Sequence, residues 1–155
     1  MSAFHYKIIR PTLLHFSVQL LNVSLISVLA GYPSADTKAA VAQCKKVGIK
    51  TFLLTSAEGE EARSQALEVG IFTKRSKTPE DIAKRLNMSV EEIYPRTTKS
   101  RIVKKEEMAK MRQNELMVLF KTHSEIIFSG LSGGQKYGIT YADNKTNTIY
   151  LFVVC

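Results

Sequence analysis

The groups in this 155-residue chain that could handle a phosphate are few and far apart. Leu131-Ser132-Gly133-Gly134-Gln135 offers what a phosphate-touching loop needs, namely glycines that leave backbone amides bare and a serine hydroxyl beside them. The element that such a loop works with in nucleotide hydrolysis, GxxxxGK followed by Ser or Thr, does not occur in the sequence. Thr55-Ser56-Ala57 follows an apolar run and precedes the acidic group Glu58, Glu60 and Glu61, so a hydroxyl stands where a strand gives way to the free amides of a helix start. His5, His15 and His123 have no neighbouring carboxylate and serine arrangement that suggests a triad, and His123 reads as structural. Cys44 and Cys155 are too few for a metal site or a disulfide framework, which makes a reducing cytosol the plainer setting.

Composition limits what could position these groups. Apolar residues make up 45% of the chain and charged residues 23%, as in an ordinary globular protein of one domain or a large piece of one. Lys and Arg number 22 against 14 Asp and Glu, a formal charge of +8. That excess favours weak, salt-sensitive attraction to polyanions, nucleic acids and acidic membranes included. The basic residues are spread out and not interleaved with aromatics, so a solvated surface is the plainer reading and no specific nucleic acid is implied. The run Leu13 to Ala30 carries His15, Ser17, Gln19, Asn22, Ser24 and Ser27 and reads as buried strand and helix, not as a membrane span. A signal peptide, with Lys7 and Arg10 ahead of the run, is the alternative there.

From Ser24 onward short apolar runs alternate with helical patterns. Leu25 to Leu29 predicts a strand. Ala40, Val41, Cys44 and Val47 recur at helical spacing before Gly48, and Ile49 to Leu54 is a second buried strand. A helix opens near Glu58 and closes at Gly70; Thr78-Pro79-Glu80-Asp81 opens another, whose apolar face is Ile82, Ala83 and Leu86. Ser89 to Ile93 forms a short turn ended by Pro95, Arg101 to Lys104 a brief strand, and Glu106 to His123 a helical stretch with Leu116, Met117, Leu119 and Phe120 clustered. Glu125 to Phe128 and Thr148 to Val154 are the last strands, separated by a Gly-rich loop and a polar segment that includes Asp143. This order fits a parallel sheet with crossover connections, whose ligands bind at the carboxyl ends of the strands.

Longer stretches carry a resemblance. They are LIS at Leu25, CKKVGIKTFLLT from Cys44, VGI at Val69, TPEDIAKRLNMSVEEIYPR from Thr78, THSEIIF from Thr122 and GQK at Gly134. With their spacing kept from about Leu25 to Cys155, they resemble the phosphorylation domain of the P-type cation-transporting ATPases, closest to the sodium/potassium pump catalytic (alpha) subunits. The resemblance also accounts for the Leu131–Gln135 loop, which otherwise spells the signature of ABC-type ATPases.

The resemblance implies an incomplete haloacid-dehalogenase-like α/β fold of three layers with a mostly parallel sheet. It makes residues 1–23 a divergent N-terminal segment and 24–155 a partial phosphorylation-domain-like region. It also implies a degraded site. The nucleophilic aspartate motif DKTGT has no counterpart, and TGD after the second strand reads Thr55-Ser56-Ala57. Lys136 matches the lysine that steadies the phosphoryl group. The magnesium-holding TGDGVND would begin at Val153, where the sequence reads Val153-Val154-Cys155, and the linking DPPR reads Gly31-Tyr32-Pro33-Ser34. Mg and ATP are therefore cofactors by resemblance alone, and none is expected to be used.

Phosphoryl transfer needs a carboxylate nucleophile, a carboxylate-held magnesium ion and cationic donors. Losing one electrostatic stabiliser costs about 3–4 kcal/mol of barrier, so the expected protein is a pseudoenzyme or relic with at most a binding role. Thr55 and Lys136 remain as candidates for a residual phosphate nest. The alternatives are a small phosphate-ester hydrolase or nucleotide binder that uses those two residues, and a basic binder of polyanions or membrane surfaces. An intact pump subunit or a second copy of the chain is the expected partner, in the cytoplasm or at the cytoplasmic face of a membrane. The missing first strand would leave a gap in mid-sheet, for Ala3 to Leu21 to fill.

Overall fold

The computed structural model describes residues 26–30, 35–93, 98–142 and 150–155. The N-terminal segment, the Gly31–Ser34 stretch, Pro95 and Asp143 lie outside them. Among the described residues the elements run β1 (Ile26–Ala30), α1 (Ala35–Lys46), β2 (Lys50–Leu54), α2 (Gly59–Glu68), α3 (Pro79–Leu86), α4 (Val90–Ile93), β3 (Ser100–Lys104), α5 (Lys105–Lys110), α6 (Gln113–Thr122), β4 (Glu125–Ser129), α7 (Gly133–Ala142) and β5 (Tyr150–Val154).

The strands form one sheet in the order β1-β5-β2-β4-β3, and every neighbouring pair is parallel. A parallel sheet buried on both faces selects continuous apolar strands, as FLL in β2, IIF in β4 and YLFVV in β5 show. Alternation then splits each strand between two cores. Phe52, Leu54, Ile126, Phe128, Tyr150 and Phe152 pack with Leu116, Leu119 and Phe120 of α6 and Ile139 of α7. Leu53, Ile127, Leu151 and Val153 pack on the other face with Val41 and Cys44 of α1 and Ala62 and Ala66 of α2. The result is three layers, helix over sheet over helix.

Four features depart from the sequence reading. No gap is left in mid-sheet: β2 and β5 pair directly, from Lys50 with Tyr150 to Leu54 with Val154, so their backbone groups satisfy one another. The stretch Glu106 to His123 is two helices. Met111 is extended (φ −73°, ψ 134°), and the Glu115 carboxylate accepts from the Arg112 N–H at 2.8 Å, giving α6 a start of its own. The Gly-rich segment after β4 is not a loop but α7. Val47 and Leu86, assigned to apolar helix faces, are exposed, because α1 ends at Lys46 and α3 buries Ala83 and Pro79 instead.

Candidate functional site

The candidate residues meet at the carboxyl ends of β2 and β5. Thr55 leaves β2 fully buried. Its N–H donates to the Phe128 carbonyl at 3.0 Å, and its own carbonyl accepts from Leu131 N–H at 2.9 Å. The hydroxyl is engaged both ways: it donates to Gln65 Oε1 at 2.6 Å and accepts from the Ala57 N–H at 3.0 Å. Thr55 thus ties the loop to α2 and to β4 without capping α2, whose cap position is Glu58, and its oxygen points into these partners. Ser56 is exposed, and Ala57 turns its carbonyl to the Gly130 N–H at 2.9 Å.

Lys136 comes from α7. Its ammonium donates to Ser56 Oγ at 2.7 Å and to the main-chain carbonyl of Cys155. Cys155 in turn donates its N–H to the Leu54 carbonyl at 3.0 Å, continuing the β2–β5 ladder past Val154. The fold therefore does bring Thr55, Ser56, Ala57, Lys136 and Cys155 together, although 80 residues separate Ser56 from Lys136. Val153 and Val154 do not join them. Val153 is buried against the α1–α2 face, and Val154 packs against the α6–α7 core. The half-buried Cys155 thiol is pushed up by desolvation, an effect the Lys136 charge opposes.

Glu58 is a neighbour that the sequence places only at the start of a helix. It occupies the cap position of α2 in extended backbone without capping it through its side chain. Its carboxylate instead takes Lys105 Nζ at 2.7 Å, which holds it below the usual carboxylate range, and lies against Gly130, where an added Cβ would stand 2.7 Å from Oε1. The one available signal, a glutamate directly after Ala57, does not reveal a partner 47 residues away.

The Leu131–Gln135 loop is occupied with its own helix. Ser132 N–H donates to Gln135 Oε1 at 2.9 Å, and Gln135 N–H donates to Ser132 Oγ at 3.3 Å, a reciprocal cap at the start of α7. His123 is buried, hydrogen-bonded through Nδ1 to Thr122 Oγ1 at 2.8 Å, and held below the ordinary histidine value by burial. Among the described residues no group of three His, Cys, Asp or Glu side chains is placed to hold a metal ion.

No family model matches the chain. Individual proteins do. It is 39% identical over 104 residues to sodium/potassium-transporting ATPase subunit alpha-1 of Oreochromis mossambicus, covering 67% of this chain and 10% of the relative. Identity is 36% over 104 residues, with the same coverage, to the alpha subunit of Drosophila melanogaster. It is 34% over 131 residues, 84% of this chain and 13% of the relative, to subunit alpha-2 of Pongo abelii. The chain resembles a piece of a P-type ATPase. This P-type ATPase-like chain spans about a tenth of the length of the curated relatives it matches.

Proposed function

We propose that this P-type ATPase-like chain is a non-catalytic, haloacid-dehalogenase-like fragment of phosphorylation-domain ancestry whose remaining role is association, not turnover. The observation that supports this reading most is the environment of Lys136. Its ammonium, the group that the resemblance assigns to a phosphoryl oxygen, is hydrogen-bonded to Ser56 and to the Cys155 carbonyl. Where an acid would be required two residues after Thr55, Ala57 presents a methyl group. The nearest carboxylate in sequence, Glu58, is paired with Lys105. A hydroxyl and an amine without a carboxylate can neither carry a phosphoryl group as an acyl phosphate nor hold magnesium.

An intact pump subunit or a second copy is the partner this ancestry suggests, met at the cytoplasmic side of a membrane. Purified full chain should give no magnesium-dependent hydrolysis of p-nitrophenyl phosphate above the level of its Lys136→Ala variant. Hydrolysis that requires both magnesium and Lys136 would replace this reading with that of a small phosphatase.

A further inference from the structure

The end of the molecule opposite Thr55 and Lys136 carries a concentration of positive charge. In a parallel sheet all strand starts lie at one end, together with the carboxyl termini of the helices that lead into them. That end receives Lys46 from α1, Lys99 immediately before β3, and Lys121 from the last turn of α6, all exposed. The loop after α2 is fastened there by Ser76, whose Oγ donates to Glu125 Oε2 at 2.8 Å at the start of β4; Ser100 Oγ at the start of β3 donates to the same oxygen at 2.8 Å. This attachment brings exposed Lys74, Arg75 and Lys77 to the same rim. Glu125 itself is neutralised by Lys45.

The bland explanation is that these cations complement helix dipoles. Each helix carboxyl terminus is equivalent to roughly half a negative charge, so the ends of α1, α2 and α6, with exposed Glu68 in the last turn of α2, offset about two to three of the six exposed cations. A further group sits among them: Val47, 73% exposed, in the turn between Lys46 and Gly48.

We propose that this rim is a docking face for an anionic lipid bilayer. Five of its six exposed cations are lysines, point charges suited to a diffuse anionic surface and not forks aimed at individual phosphates or guanine edges. Val47 gives the interface an aliphatic group to place at the headgroup boundary, whereas binding to single-stranded nucleic acid calls for aromatic platforms. The face is at the other end of the sheet from Lys136 and acts independently of any chemistry there.

The chain has no tryptophan, so Val47→Trp supplies a unique fluorescent reporter. With phosphatidylcholine vesicles containing phosphatidylserine its emission should shift to the blue, with phosphatidylcholine alone it should not, and salt should reverse the shift. Flotation then compares two charge reversals at opposite ends of β3. Lys99→Glu should weaken binding at least about fivefold, and Lys104→Glu should leave it within about twofold. Unshifted emission from the Val47→Trp variant on anionic vesicles, equal losses in the two charge reversals, or tighter binding to DNA or RNA than to the anionic vesicles would each overturn the proposal.

Discussion

Lys136 on α7 donates to Ser56 beyond β2 across 2.7 Å, and in doing so closes the carboxyl end of the sheet on itself. Through the Cys155 carbonyl the same ammonium also reaches the end of β5, so one side chain ties α7 to two strands. A cation held in this way acts as a cross-brace.

Replacing it should therefore show in stability. Lys136→Met is expected to lower the unfolding free energy by about 1 kcal/mol, the ordinary net value of such bonds. Ser56→Ala should cost less, and the double variant should fall short of the sum. Urea denaturation of the four proteins measures the coupling, and strict additivity would mean that the Lys136–Ser56 bond contributes nothing.

Glu125 anchors a denser network: Lys45, Ser76 and Ser100 all donate to its mostly buried carboxylate, and Lys45 also donates to the carbonyls of Gly70 and Ile71. Glu125→Gln keeps the shape and removes the charge that faces the Lys45 ammonium. A loss of about 2–3 kcal/mol is expected, below the full cost of breaking a buried pair because Lys45 retains partial access to water. The same network holds the Lys74–Lys77 loop on the basic rim, so this variant should also expose that loop to trypsin. Unchanged stability would remove the network from the account.

His123 sets a pH dependence. Burial, then the charges of Arg101 and Lys50, hold it below its ordinary value of 6.5, while a hydrogen bond to Leu119 opposes them. The unfolded chain consequently binds the proton more readily, and stability conferred by the neutral ring is complete above that value and lost as pH falls beneath it. The urea midpoint should drop between about pH 7.5 and 5.5, and the drop should shrink in His123→Asn. Asp81 and Glu58, both held below the usual carboxylate range, add their losses only at lower pH. Equal slopes in the two proteins would assign the dependence elsewhere.

Gly130 adopts φ +73°, and an added Cβ would meet the Glu58 carboxylate. Gly130→Ala should cost about 1–2 kcal/mol. Because Glu58 can swing aside, most of that cost belongs to the backbone and should persist when Glu58 is also changed to Ala. Full recovery in the double variant, read by thermal unfolding, would show that crowding was the cause.

Local chemistry was legible in the sequence and distant pairing was not. The start of α3 could be read from four residues because its cap is self-contained: Asp81 N–H donates to Thr78 Oγ1 at 3.3 Å and Thr78 N–H to Asp81 Oδ2 at 3.0 Å. The apolar runs of β2, β4 and β5 announced a buried parallel sheet for the same reason. Helix α7 was hidden by Gly133, Gly134 and Gly138, which depress helix propensity but are outweighed by the Ser132–Gln135 cap and by burial of Ile139. The break before α6 was masked by Met108, Met111 and Met117, whose apolar character continues across it; all three pack on one core. Nothing local marks the pairing of β2 with β5, the bond from Lys136 to Ser56 or that from Lys105 to Glu58. At the site, residue identities suggested the chemistry that Ala57 lacks, but only the fold shows that Thr55 and Lys136 are engaged with protein groups.

Trapping of a phosphoenzyme decides whether Ala57 and the braced Lys136 leave a working phosphoryl-transfer site. Purified chain is incubated with magnesium and terminally labelled ATP, quenched in acid and counted. No protein-bound label above that of Lys136→Ala is expected; acid-stable label that is absent from that variant and chases with unlabelled ATP would mean that the chain forms an acyl phosphate and turns over.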